Sequence, residues 1–244
     1  MNTIRFILKY LKFLNNAKSR HRIHSPFIFT LINECLDAED YNPNTEIIET
    51  LRANLLKNNN TINVDDLGTG KSGLRKVSDI AKKALKSQQD AMLLYKLAKF
   101  FQSKTIVELG TSFGITTIYL ATAGTNSEVY TIEGSKEIAD IAVNNFKLAD
   151  IENITVINDN IEKALPELLL KINKPDMVFF DANHTKDATI KYFEFCLPYI
   201  KENTVLIFDD IHWSDQMEQA WEHIKKHQDV TITVDLFFFG LVFF

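Results

Sequence analysis

Two cysteines, five prolines and eight glycines are all that 244 residues contain of the types that staple, kink or free a backbone. Cys35 and Cys196 stand far apart with no redox or metal-ligand spacing, so both read as reduced thiols and a disulfide framework is excluded. Also missing is any stretch of about 18 to 20 uninterrupted apolar residues, the length a helix needs to cross a bilayer. The opening "MNTIRFILKYLKFLNNAKSRHR" lacks the profile of a cleaved leader, because Arg5, Lys9 and Lys12 interrupt its apolar positions and no small-residue cleavage site follows. A cytoplasmic protein is expected. Long repeats and low-complexity tracts are absent too, and with 45% hydrophobic and 24% charged residues the chain can bury one substantial core with an appendage.

Acid is missing from one end only. The formal net charge is −5, yet up to His24 the chain carries Arg5, Lys9, Lys12, Lys18, Arg20 and Arg22 and no carboxylate, so all 32 acids follow. Ile4, Ile7, Leu8, Leu11 and Leu14 recur there at helical spacing. Such a basic amphipathic helix lies either on an anionic membrane or nucleic acid, or docked on the acidic body of its own chain. In "HSPFIFTLINECL" Ser25 is placed to cap a helix and Pro26 to start it, which makes His21 and His24 residues of the preceding turn.

The chain divides near residue 100. Before it the periodicity predicts helices over about 3–14, 25–37, 44–57 and 73–101, the last broken near Ser87, with a loop at Asn58 to Asn60. From Thr105 short apolar runs alternate with helical segments: "TIVEL", "EVYTIE", "ITVI", "DMVFFD", "TVLIFDD", "VTITVDL" and "FGLVFF". That alternation predicts a mostly parallel sheet covered on both faces, closed by an antiparallel pair because the last two strands have almost nothing between them.

Two glycine-bearing stretches compete for a nucleotide. "VDDLGTGKSG" supplies Gly70, Lys71 and Ser72 of a phosphate loop, but Asp65 holds the first glycine position, and Asp65 with Asp66 puts negative charge where phosphates would sit. The preceding "TINV" also reads as a poor buried strand. Asp65 to Gly73 is therefore read either as a mobile lid, bending at Gly68, Gly70 and Gly73, or as a surface linker. "VELGTSFG" follows a credible central strand and leads into a helix, but its Gly110-x-x-x-Gly114 spacing lacks the dinucleotide fingerprint, with Ser112 and Ile115 at glycine positions. About twenty residues on, Glu133 ends the next strand, where a carboxylate can accept both ribose hydroxyls. One strand later Asn160 and Ile161 fall where an adenine ring would lie.

The order Glu108-Leu-Gly110-x-x-x-Gly114, Glu133, Asn160, Asp181 and then "VLIFDD" resembles the class I S-adenosylmethionine (SAM) dependent methyltransferases. Within them it is similar to the catechol and caffeoyl-CoA type O-methyltransferases and their bacterial relatives. The resemblance covers about Ser87 to Phe244. It implies a Rossmann-like, doubly wound α/β fold with a seven-stranded sheet, mostly parallel with the last strand inserted antiparallel, plus a helical extension over 1–86. It also implies SAM held by Glu108, Gly110, Thr111, Ser112, Gly114, Glu133, Asn160, Ile161 and Asp181.

In that topology Asp181, Asp209 and Asp210 converge on one rim, a site suited to Mg²⁺ or a similar divalent cation, which in the catechol type chelates the substrate's hydroxyls. This chain departs by having Asp210 where that type has asparagine, and His184 where it has a catalytic lysine. Three roles are open to His184: proton acceptor, metal ligand or helix-start residue. Trp213 is read either as an aromatic wall of the acceptor pocket or as a packing residue. The expected activity is methyl transfer to a hydroxyl of a small acceptor, with His184 and Asp181 catalytic. Its alternatives are an enzyme acting on nitrogen or on RNA or protein, and a non-catalytic SAM-binding protein. A homodimer is left open, and nucleic-acid or membrane contact through the basic helix stands as an alternative.

Overall fold

The computed structural model describes residues 3–18, 22–65 and 72–244. Three helical pieces come first: α1 (Thr3–Asn16), α2 (Pro26–Leu31), which runs into a π-helical turn at Ile32–Leu36, and α3 (Thr45–Lys57). Ser25 caps α2 through a hydrogen bond from Ile28 N and Pro26 opens it, as the sequence predicts. A two-stranded antiparallel ribbon follows, β1 (Thr61–Val64) and β2 (Gly73–Lys76), then α4 (Val77–Ala84) and α5 (Gln88–Phe100), with Ser87 capping α5 at the expected break.

The ribbon corrects the helical expectation for residues 73–76, while "TINV", read as a poor buried strand, is a strand with a single buried residue. Thr61 pairs with Lys76 and Val64 with Gly73, so the two strands satisfy each other's backbone. Val64 is the one buried position of the first strand, packing among helix residues, which is why neither strand shows an apolar pattern. Asp66 to Lys71, with Gly68 and Gly70 of the phosphate-loop look-alike and most of the expected lid, lie outside the described residues, as does His21.

The remaining elements alternate: β3 (Thr105–Leu109), α6 (Ile115–Ala121), β4 (Glu128–Glu133), α7 (Lys136–Leu148), β5 (Ile154–Asn158), α8 (Ile161–Ile172), β6 (Met177–Phe180), α9 (Lys186–Cys196), β7 (Val205–Asp209), α10 (Asp215–Lys225), β8 (Ile232–Asp235) and β9 (Phe239–Phe243). The sheet order is β5-β4-β3-β6-β7-β9-β8, and β9 runs antiparallel to both neighbours. The chain thus winds outward from β3 in one direction and from β6 in the other, and the crevice between their carboxyl ends is the topological switch point where such sheets take ligands. No helix among the described residues is long and apolar enough to cross a membrane.

Both faces of the sheet are covered. Val107 and Leu109 point into a core with α8, α9 and α10, while Ile106 joins α2 and α5 on the other side. A third cluster joins Ile48, Leu51 and Leu55 of α3 to Phe113, Ile118 and Tyr119 beside α6. Helices that precede residue 87 therefore share their cores with the sheet. The α1 helix docks by one side only: Phe6, Tyr10 and Phe13 surround Phe237 at 5.3, 4.8 and 5.4 Å between ring centroids, and Lys9 reaches Glu218 at 3.0 Å and Asp215 at 3.5 Å. The structure thus sets this basic helix on acidic residues of its own chain.

Two strand residues are exacting. Gly240 lies in β9 where an added Cβ would stand 2.8 Å from the ring of the buried Trp221 and 3.1 Å from Ile211. Gly240→Ala should cost about 1–3 kcal/mol by overpacking and lower Tm by several degrees, as a thermal melt would show. Glu108, in the middle of β3, is completely buried; its Oε2 accepts from Thr117 at 2.5 Å and from Thr131 at 2.7 Å, while Oε1 has no partner among the described residues. Burial dominates over the two hydroxyls and pushes its carboxyl from 4.5 up to about 7. The unfolded chain therefore releases this proton first, and stability falls as pH rises from about 4.5 to about 7. In Glu108→Gln that part of the decline should vanish, shrinking the difference in unfolding free energy between mildly acidic and alkaline solution by about 3 kcal/mol in denaturant titrations.

Candidate active site

A cavity of ≈ 660 Å³ opens at the switch point. Its floor is the set of turns after β3, β4 and β6, and the α4–α5 junction, Ala84 to Ser87, also borders it. The turn after β3 is tight for a packing reason: Gly110 has φ +96°, and a Cβ there would lie 2.2 Å from the backbone oxygen of Asp181. Gly114, at φ +77°, would clash in the same way with the Phe146 ring at 2.3 Å. The two glycines singled out by spacing thus let neighbouring elements close on the turn. Ser112, Asn183 and Asp210 adopt left-handed backbone without being glycine, one at the end of each of β3, β6 and β7. They are three of the seven non-glycine residues with positive φ among the described residues.

At one end of the cavity Glu133 Oε2 accepts from Ser112 N at 2.9 Å and Oε1 from Ser135 N at 3.0 Å, which fixes the carboxylate between two turns. The hydroxyls of Ser112 and Ser135 are buried, line the same cavity and have no hydrogen-bond partner among the described residues. Asn160 caps α8 by accepting from Glu162 N at 2.8 Å, so its NH₂ is the group it can offer to a ligand, with Ile161 beside it. A fixed carboxylate, two orphaned hydroxyls, a side-chain amide and an apolar residue fit an adenosine with its ribose diol. Of the residues expected to hold SAM, Gly110, Ser112, Glu133, Asn160, Ile161 and Asp181 line the cavity. Glu108, Thr111 and Gly114 stand behind it: the Thr111 hydroxyl meets that of Thr131 at 2.6 Å, in the network that ends on Glu108.

At the other end the β6–β7 register decides the geometry. Phe180 pairs with Phe208 and their rings stack at 4.2 Å, which brings the next residues, Asp181 and Asp209, side by side. His184 Nε2 lies 3.6 Å from Asp181 Oδ1, 4.0 Å from Asp209 Oδ2 and 4.0 Å from Asp210 Oδ2. The structure therefore brings together His184 and all three expected acids. Trp213 also lines this end, is 47% exposed and meets Phe6 of α1 edge-on at 6.4 Å. It lines the cavity and packs on a helix at once, so only a core position is removed.

A residue with no signal of its own completes the cluster. Lys86, at the α4–α5 junction, places its ammonium 3.1 Å from Asp181 Oδ1 and in direct contact with Asp209 Oδ2. Burial opposes its charge, but Asp181 and Asp209 outweigh burial and hold its pKa above the usual lysine value. Burial raises Asp181 to about 6 against the opposing pull of Lys86, and burial with the Asp181 charge raises Asp209 to about 7. Asp210 is raised as well, by burial and then by Asp209. Lys86 is one of three lysines in "KKALKSQQ"; only its place just before the capping Ser87 could have marked it out.

The donor set can be tested against a divalent ion. Asp181, His184 and Asp209 offer ligand atoms within 4.8 Å of one another. However, the carboxylate oxygens that Asp181 and Asp209 turn toward His184, Oδ1 and Oδ2 respectively, are the two that Lys86 holds. With that ammonium in place the set does not fit a metal cation.

Comparison with known proteins agrees with this geometry. Residues 107–211 match a family described as a methyltransferase domain. Over 76 residues the chain is 37% identical to a protein-L-isoaspartate O-methyltransferase of Methanococcoides burtonii, covering 31% of this chain and 37% of that one. Over 128 residues it is 30% identical to a catechol O-methyltransferase of Niastella koreensis, covering 51% of this chain and 57% of that one. The chain thus spans between about a third and somewhat over half of the length of these curated relatives. An O-methyltransferase from Bacillus cereus, solved in complex with SAH, shares the fold with a TM-score of 0.60 at 20% identity, over 89% of this chain and 97% of that one. The turn at Gly110 and the carboxylate of Glu133 lie within the matched segment, and over it the chain is similar to methyltransferases, with the seven-stranded fold of the class I SAM-dependent enzymes.

Proposed function

We propose that this protein transfers a methyl group from SAM to a hydroxyl oxygen of a small acceptor. The observation that carries the reading is a single cavity with a ribose-type carboxylate, Glu133, at one end and a histidine among carboxylates, His184, at the other. The names of the catechol O-methyltransferase and the Bacillus cereus O-methyltransferase support oxygen as the receiving atom. SAM, when bound, would supply an electrophilic methyl group on a sulfonium, open to attack at carbon by an oxygen lone pair as the S–C bonding electrons return to sulfur.

The chain's own residues orient the acceptor and take its proton. Glu133 and Asn160 anchor the adenosine end, fixing where the reacting atoms can meet. His184 Nε2 is the proton acceptor for the hydroxyl, and Asp181, Asp209 and Asp210 around it stabilise the imidazolium that results. Trp213 and Phe238 wall the same end with aromatic surface, which favours a planar acceptor of modest size.

Calorimetry with S-adenosylhomocysteine should show binding to the wild type and loss of about tenfold or more in affinity for Glu133→Ala, since two hydroxyls lose a charged partner. A folded wild type that binds none would remove the reading. In a methylation screen across hydroxylated aromatics, His184→Gln should lower kcat by roughly a hundredfold while leaving the S-adenosylhomocysteine affinity unchanged. An unchanged kcat would take the proton-acceptor role from His184.

A further inference from the structure

We infer that Lys86 is the resident cation of this site, its ammonium holding the position between Asp181 and Asp209 that the catechol-type resemblance assigns to a divalent ion, so that methyl transfer proceeds here without a metal. The inference rests on the methyltransferase reading of the cavity, but its evidence is the charge arrangement itself.

Three carboxylates within reach of one imidazole need a positive partner, because buried like charges are costly. Asp209 is almost fully buried, with its side chain 2% exposed, and it receives the ammonium directly. A hard divalent ion would use the same oxygens, Asp181 Oδ1 and Asp209 Oδ2, and an ammonium in contact with both repels it at short range.

The ammonium is installed by the fold. Arg52 of α3 donates from Nη1 to the backbone oxygen of Lys86, and the next residue, Ser87, caps α5, so the backbone is pinned on both sides. Arg52 is itself held by Glu49 at 2.7 Å, whose other oxygen accepts from the Tyr119 hydroxyl at 2.9 Å. The lysine's side chain is mostly buried, yet it lines the cavity, so it faces an acceptor as well as the acids. There it offers to an oxygen nucleophile the positive field that a metal offers elsewhere, while the hydroxyl proton passes to His184 and Lys86 keeps its own.

The test is a Mn²⁺ titration followed by electron paramagnetic resonance, with S-adenosylhomocysteine affinity measured in parallel as the index of a folded, cofactor-competent protein. Wild type should bind no Mn²⁺ at micromolar concentrations, and Lys86→Met should bind it at least about tenfold more tightly, having exchanged a repelling charge for a neutral chain of similar length. Asp209→Asn placed on Lys86→Met should abolish the gained site. Micromolar Mn²⁺ binding by wild type, lost in Asp209→Asn, overturns the inference, and that single titration decides even if Lys86→Met does not fold. A Lys86→Met protein that binds S-adenosylhomocysteine but no Mn²⁺ overturns it equally. Failure of wild type to bind S-adenosylhomocysteine would instead strike the methyltransferase reading, since the metal titration does not depend on it.

Discussion

The buried ion cluster of Lys86 with Asp181 and Asp209 is the constraint around which the site is arranged. Two acids at adjacent strand ends follow from the β6–β7 register, and the stacked Phe180 and Phe208 rings leave them no alternative position. Without a cation the pair would have to protonate or spread apart, and a burial that raises both carboxyls shows how expensive their charges are. Breaking a buried pair by removing one partner costs on the order of 3–5 kcal/mol, far more than a surface ion pair is worth. The sheet therefore creates a demand that only an element outside it can meet.

That element comes from the first third of the chain. The α3 helix is bound to the sheet through apolar contacts with Phe113 and Ile118, and it uses Arg52 to fix the α4–α5 junction. The ribbon of β1 and β2 packs nearby and contributes Val64, Asp65 and Arg75 to the cavity wall. At the far side α1 rests on Phe237 and Trp213, so the acceptor end is also bordered by N-terminal structure. The parts of the cavity lining thus have different origins along the chain, one from strand ends and the other, with Ile80, Lys83 and Lys86, from the first third.

This difference in origin accounts for what could be read from the sequence. Strand-ending acids such as Glu133, Asp181 and Asp209 are legible because a buried run with a carboxylate at its end has few other reasons to exist. Glycines 110 and 114 were legible as a turn, although their steric partners, the Asp181 backbone and Phe146, lie more than thirty residues away and leave no local trace. Lys86 was illegible, since its meaning comes wholly from tertiary contact, 123 residues from Asp209 in the chain. The ribbon was missed for a related reason: its two short strands satisfy one another's hydrogen bonds and bury one side chain, Val64, so no alternating pattern was needed. Glu108 and Thr111, which the resemblance assigns to the cofactor, stand behind the cavity lining and take part in an internal hydroxyl network.

The segment that matches the methyltransferase family, residues 107–211, contains every negative charge of the cluster and the histidine, but not the lysine that balances them. The electroneutrality of the site is therefore divided between the matched segment and the chain that precedes it. The matched segment by itself would carry three clustered carboxylates and one imidazole with no fixed cation beside them.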